Sequence, residues 1–279
     1  MHTSANTISV LGCGWLGLPL AERLLSLGYQ VKGSTTTTEK MTALAEKGIQ
    51  PFHISLTPGV NDDYDPVFFD SDTLILNFPP SRKQENVREF YPAQLDEVLR
   101  LAKDGAVKQV LFVSSTSVYP NLNREVREAD AGGDLSASGQ ALMEAEKLLQ
   151  AEQNFGVSIL RFCGLYDRER NPGRFLAGRR LKSNGKDKVN LIHREDCIGI
   201  IISMLEKQQW GEVFNACADE HPEKAQFYTL AAQKLGLEPP VFDSQAAEDF
   251  KIISSDKLKE KLKYVFVHPD PLRSVKESE

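Results

Sequence analysis

Near the start of the chain, Gly12, Gly14 and Gly17 stand in the spacing G-x-G-x-x-G within ISVLGCGWLG, residues 8–17. The chemistry such a turn can do belongs to its backbone. The first glycine lets the chain turn tightly, the second lets an anion reach the peptide, and the third lets a helix pack closely on the preceding strand. Unpaired N–H groups and the positive end of the helix dipole then favour a diphosphate without a side-chain cation. The expected contacts are Gly12, Gly14, Trp15, Leu16 and Gly17. Trp15 could cover the phosphate turn or pack on the helix. The bland reading of the motif is a tight strand-to-helix turn without a ligand, but its place on the first strand, opening a helix, is the context the fingerprint demands.

A second group with chemical potential follows. In a dinucleotide fold, an acidic residue about 20 positions past the glycines binds the adenine ribose hydroxyls. Here Gly33-Ser34-Thr35-Thr36 fills that place. No carboxylate stands there to repel a 2'-phosphate, and the hydroxyls of Ser34, Thr35 and Thr36, with Lys40 nearby, suit one. NADP is therefore expected in preference to NAD, although Thr36 could instead cap the next helix. The four cysteines, Cys13, Cys163, Cys197 and Cys217, form no C-x-x-C pair, so no metal site or redox motif is expected and the thiols should be reduced.

The elements that must position these groups read as alternating strands and helices. Leu16, Leu20, Leu24 and Leu27 repeat at helical steps until Gly28, and Pro19 falls in the first turn, where its missing N–H costs nothing. A strand over residues 29–34 follows, then a helix opened by a capping box at Thr36-Thr37-Thr38-Glu39 and closed at Gly48. Further strands are expected at 49–56, 73–78, 107–113, 157–162 and 213–216, and further helices at 87–102, 138–155, 196–205 and 225–235. Residues 57–65 read as a surface connection, residues 120–137 as a long loop, and the last thirty residues as one short charged helix plus the apolar YVFV. This alternation implies a doubly wound parallel α/β sheet of about seven strands. Residues 1–160 should form its dinucleotide-binding part, and 161–279 a smaller substrate lobe with elements returning to the sheet.

With 279 residues, a net charge of −6 and ordinary apolar content, the chain can bury a full core, and nucleic acid is not an expected partner. No run approaches the roughly 18 apolar residues that span a bilayer, so no membrane partner is expected and the cytoplasm is the expected location.

At LFVSSTSVYP, residues 111–120, the chain resembles the extended branch of the short-chain dehydrogenase/reductase superfamily, the NAD-dependent epimerases and dehydratases. ILRFCGLY, GEVFNACAD and LGLEPP follow in that branch's order. The atypical YeeZ-type subgroup also carries GWLG, SSTSVYG and a PGRF segment, here Pro172 to Phe175. The resemblance implies an oxidoreductase or epimerase-like activity, a small-molecule substrate that is anionic or nucleotide-linked, and a homodimer. It places the family's catalytic hydroxyl at Ser115, with Thr116 beside it, where it would hydrogen-bond the substrate oxygen on which charge develops. It also implies cofactor contact from Asn77, Phe78 and Pro79 after the fourth strand, and substrate contact from Ser138 and from Arg174 in an arginine-rich stretch. His193-Arg194-Glu195-Asp196 resembles the family's H-x-D-D segment, with its acids at a helix start.

Two departures accompany the resemblance. The family's Tyr and Lys, four residues apart on one helix face, lower the phenol pKa for proton transfer. Ser138 stands where that Tyr belongs and Leu142 where the Lys belongs, and none of the seven tyrosines is followed four residues later by Lys. Losing such a pair typically costs ~10²- to 10⁴-fold in rate. A non-catalytic dinucleotide sensor is thus the alternative to an enzyme. The glycine turn is also one residue shorter than the branch's usual G-x-x-G-x-x-G and is similar to that of hydroxyacid and phosphogluconate dehydrogenases.

Overall fold

A computed structural model describes residues 6–58, 64–81 and 84–277, so the connection expected at 57–65 lies partly outside the described residues. The chain runs through β1 (Thr7–Leu11), α1 (Gly17–Ser26), β2 (Gln30–Thr35), α2 (Glu39–Glu46), β3 (Gln50–His53), β4 (Thr73–Leu76), α3 (Val87–Asp104) and β5 (Gln109–Ser115). It continues through β6 (Glu125–Val126), α4 (Ala137–Ala151), β7 (Gly156–Phe162), β8 (Gly164–Tyr166), β9 (Leu191–His193), α5 (Arg194–Glu206) and β10 (Val213–Ala216). It ends with α6 (Lys224–Lys234), β11 (Ile252–Ile253), α7 (Asp256–Leu262) and α8 (Pro271–Glu277).

Seven strands form a sheet in the order β10-β7-β5-β4-β1-β2-β3. The registers are parallel where β1 meets β2 and β4, where β2 meets β3 and where β4 meets β5. Central strands of a parallel sheet are covered on both faces, which is why Leu74, Ile75 and Leu76 of β4 are apolar in succession and fully buried, with Thr73 buried before them. Leu20 and Leu24 of α1 and Leu95 and Val98 of α3 are likewise fully buried. No helix among the described residues is long and apolar enough to cross a membrane.

Two compact units divide the chain: one comprises 1–118, 135–160 and 204–213, the other 119–134, 161–203 and 214–279. The first holds the glycine turn. In the second, β8 pairs parallel with β9, β6 with β11, and Tyr166, Leu191, Phe227 and Val275 share a buried cluster.

Four local expectations are corrected. The capping box does not form, because Thr35 Oγ1 accepts the Thr37 N–H at 3.1 Å and turns the chain before α2. Thr38 is then the N-cap, with helical φ and ψ of −56° and −36° and no side-chain cap bond. Cys163 and Cys217, expected as thiols, form a disulfide; strand ends far apart in sequence bring them together. The tail holds two helices, since Asp270 Oδ1 accepts the N–H groups of Leu272 and Arg273 at 2.8 and 3.2 Å and starts α8 at Pro271. Within the loop expected at 120–137, residues 125–126 pair as β6 with β11.

Candidate functional site

From β1 the chain passes to β2 on one side, while β4 lies on the other. At such a switch point a crevice opens at the carboxyl ends of the strands. Gly12 follows β1 there, and Asn77 follows β4. Asn77 Nδ2 donates to the Gly12 carbonyl at 2.9 Å, while Ser34 Oγ accepts the Gly12 N–H at 2.9 Å and the Ser34 carbonyl accepts the Cys13 N–H at 2.9 Å. Both neighbouring strands thus grip the first glycine of the turn.

Each glycine has a separate physical reason. Gly12 has φ +105°, a region that favours glycine, and a Cβ there would lie 2.4 Å from the Asn77 carbonyl oxygen. At Gly17, a Cβ would lie 2.1 Å from the Gly12 carbonyl oxygen and 2.8 Å from Asn77 Nδ2. Gly14 differs, because a Cβ there would meet nothing within 4 Å. The middle glycine therefore faces open space, the geometry needed for a ligand to approach the peptide.

Helix α1 begins here with Leu16 as N-cap, no side-chain cap bond and no acidic residue in its first turn. A helix start normally gains from an oxygen acceptor or a negative charge. This one draws neither from its own sequence, as suits an external anion.

Around the turn lies a pocket of about 320 Å³. Gly12 to Gly14 form one part of its lining, Ser34 to Thr37 with Lys40 another, and Asn77 to Pro79 a third. The pocket also has an apolar side at Ile54 and Leu56, and Gln94 Nε2 donates to the Leu56 carbonyl at 2.7 Å. Among the described residues of the lining none is Asp or Glu, and Lys40 is the only Lys or Arg. Thr36 and Lys40 are exposed. The arrangement can hold a flat apolar group against Ile54 and Leu56 and anionic groups beside the hydroxyls and amides.

Of the expected cofactor contacts, Gly12, Gly14, Ser34, Thr35, Thr36, Asn77, Phe78 and Pro79 come together in the lining. Leu16 and Gly17 are buried, so what they offer is backbone; Trp15 is half-buried. Ile54, Ser55, Leu56, Gln94, Thr37 and Cys13 were not foreseen. The first three follow β3, whose place at the sheet edge is set by strand order rather than by local pattern. Burial pushes the Cys13 thiol up to about 12, so it stays protonated at neutral pH.

Ser34 is itself buried, and its hydroxyl is committed to Gly12. A Ser34→Ala variant is expected to lose about 1–2 kcal/mol of stability through the orphaned amide. Urea unfolding monitored by circular dichroism would read this as a lowered midpoint at unchanged slope.

The second corner lies at the end of β5. Ser115 Oγ accepts the Ser117 N–H at 3.2 Å, and Thr116 is buried. The start of α4 abuts this turn: a Cβ on Gly139 would lie 2.5 Å from the Ser117 carbonyl oxygen. Ser138 is exposed and shares a 3.3 Å hydrogen bond with Ser136 Oγ, whereas Leu142 is 4% exposed and packs in the core. One turn further, buried Glu146 accepts from Ser114 Oγ at 2.6 Å. Positions 138, 142 and 146 share a helix face, which carries a solvated hydroxyl, a packed alkyl chain and a buried carboxyl group.

In the other unit, Arg174 is exposed on the short turn Pro172–Arg174. Asp196 of the His193–Asp196 segment is fully buried and accepts the N–H groups of Val267 and His268, at 2.7 and 3.0 Å, and the Tyr264 hydroxyl at 3.1 Å. Its role here is to anchor the segment 264–268, which a helix-start reading did not foresee.

Residues 7–136 match the family described as the NAD binding domain of 6-phosphogluconate dehydrogenase, consistent with the short glycine turn. Protein YeeZ of Escherichia coli K12 is 36% identical over 269 residues, covering 95% of this chain and 97% of that one. Among solved structures, a short-chain dehydrogenase/reductase superfamily protein from Agrobacterium tumefaciens with bound NAD superposes with a TM-score of 0.75 at 17% identity, over 96% of this chain and 94% of that one. UDP-glucuronic acid 4-epimerase from Bacillus cereus, in complex with a UDP-sugar analogue and NAD, gives 0.77 at 17% identity, over 97% and 99%.

Proposed function

We propose, for a chain that belongs to the YeeZ family and has the short-chain dehydrogenase/reductase fold, that it binds NADP(H) at the glycine turn and acts as an oxidoreductase or epimerase-like enzyme lacking the Tyr–Lys pair. The observation that carries the cofactor reading is the pocket lining: the glycine turn Gly12 to Gly14, which leads into an uncapped helix, at one part, three threonines and Lys40 at another, and no carboxylate among the described residues. Backbone N–H groups at Gly14 to Gly17 hold the diphosphate. Thr35, Thr36 and Lys40 receive the 2'-phosphate; Asn77 to Pro79 line the approach to the ribose. When bound, a nicotinamide supplies hydride transfer. Ser115 and Thr116 position the substrate oxygen by hydrogen bonding, with Ser138 close by, and Arg174 meets an anionic or nucleotide-linked substrate. The proton then passes through water or through a residue outside the family's pair, rather than through a phenol. In this reading residues 1–160 form the dinucleotide-binding part, residues 161–279 mainly a substrate lobe, and the protein assembles as a homodimer.

Calorimetric titration with NAD, NADH, NADP and NADPH tests the first step. The phosphorylated pair is expected to bind at least about tenfold tighter, equivalent to ~1.4 kcal/mol. Replacing Thr36 by Asp puts a carboxylate where the 2'-phosphate would sit and is expected to reverse the order. Equal affinities in the parent, or no change with Thr36→Asp, overturn the NADP assignment.

A second reading has its own support: Leu142 is packed and Ser138 solvated, an arrangement that suits a dinucleotide sensor with no proton to move. Following NADPH absorbance across a panel of carbonyl compounds and sugar nucleotides, with Ser115→Ala as control, separates the two. Turnover that Ser115→Ala removes identifies the enzyme. Tight binding with silence across the panel identifies the sensor.

A further inference from the structure

We infer that His193, Glu195 and His268 form a binding site for a divalent transition-metal cation of the zinc type, in the unit that does not contain the glycine turn. One ligand atom from each residue lies within 4.8 Å of the others. His268 Nε2 stands 3.0 Å from Glu195 Oε2, and the two imidazole rings lie with centroids 3.7 Å apart. Two imidazoles and one carboxylate are the donors that borderline cations prefer, and a set of three leaves a fourth position of a tetrahedron open for water or a ligand.

The surroundings orient the donors. Ser274 Oγ lies 3.4 Å from His268 Nδ1, so a proton on Nδ1 turned to that hydroxyl leaves the Nε2 lone pair toward Glu195. Such an outer partner is what metal-ligating histidines commonly have. His193 Nδ1 accepts the Glu195 N–H at 3.3 Å, which leaves Nε2 as its ligating atom. Buried Asp196 holds the backbone of Val267 and His268, so His268 is presented by an anchored segment although it lies far along the chain. The neighbouring cation, Arg194, is paired with Asp167 at 2.6 Å and Glu169 at 3.0 Å. The sequence carries no metal-ligand spacing because the third donor comes from residue 268.

The test uses the full-length protein, freed of metal by chelator and dialysed, titrated in turn with Zn²⁺, Co²⁺ and Mg²⁺. Zn²⁺ is expected to bind with one-to-one stoichiometry, Co²⁺ to develop the visible bands of a nitrogen- and oxygen-ligated ion, and Mg²⁺ to produce no heat. His268→Gln is expected to weaken Zn²⁺ by on the order of 100-fold. Glu195→Gln, at an exposed position where folding is not at stake, should weaken it by about tenfold or more, and Ser274→Ala by a factor within the ~10–100-fold range of outer-partner losses. Absence of Zn²⁺ binding by the parent protein, Co²⁺ without visible bands, or Zn²⁺ affinity unchanged in Glu195→Gln overturns the assignment. These readouts do not involve dinucleotide, so their outcome is independent of the cofactor proposal.

Discussion

Gly14→Glu should fold normally and lose its dinucleotide. A Cβ at Gly14 meets nothing within 4 Å, and its φ lies outside the range that strains other residues, so the stability change should stay within about 1 kcal/mol. The added carboxylate, however, projects from the peptide that a diphosphate must approach, bringing like charge and bulk to the start of α1. Affinity for NADPH is expected to fall by at least ~100-fold, or about 2.7 kcal/mol. Gly14→Ala, smaller and uncharged, should lose less. Calorimetry for binding and a urea melt for stability check both halves, and an unaltered affinity in Gly14→Glu would mean that the turn holds no diphosphate.

Three residues on, the same kind of change should have the opposite character. In Gly17→Ala the new methyl would stand 2.1 Å from the Gly12 carbonyl oxygen, which Asn77 Nδ2 already holds from the other side. Neither partner is the loose end of a flexible side chain, so α1 must move off β1 or the turn must open. Overpacking of a core typically costs 1–3 kcal/mol, and a backbone clash this close should exceed that range, reaching roughly 3–5 kcal/mol. Total stabilities are about 5–15 kcal/mol, so the expected urea midpoint falls by a large fraction. A midpoint within error of the parent would show that the turn is pliable and that Gly17 is dispensable to packing.

The contrast between Gly14 and Gly17 bears on what a sequence can show. The motif spacing was legible because turn, approach and packing each demand glycine at a fixed step along the chain. The strands were legible for a related reason: Leu74, Ile75 and Leu76 are apolar in succession, as burial on both faces requires. Local competition was harder to foresee. Thr36 to Glu39 has the letters of a capping box, yet the hydroxyl of Thr35 captures the Thr37 N–H first. Ser34 lines the pocket, and its hydroxyl also accepts the Gly12 N–H, a partner that no local pattern indicates. Contacts set by tertiary arrangement were not legible at all. The pairing of Cys163 with Cys217, the buried Glu146 against Ser114, and the meeting of His193 with His268 join segments 32 to 75 residues apart, as 54, 32 and 75 positions respectively. No short-range pattern encodes such separations.

The interleaving of the two units has a consequence for how the polypeptide emerges from the ribosome. Chains are made from the amino terminus, and domains tend to fold as they become complete. The unit bearing the glycine turn is not complete at residue 160, since it also includes 204–213. Within it, the Ile159 amide donates to the Glu212 carbonyl at 2.9 Å, so a nascent chain halted between those residues presents an unsatisfied strand edge. Such an edge is a template for mispairing. Translation of residues 161–203 is therefore a window in which this protein needs shielding, and a slow codon placed there should lower soluble yield more than one placed after residue 213.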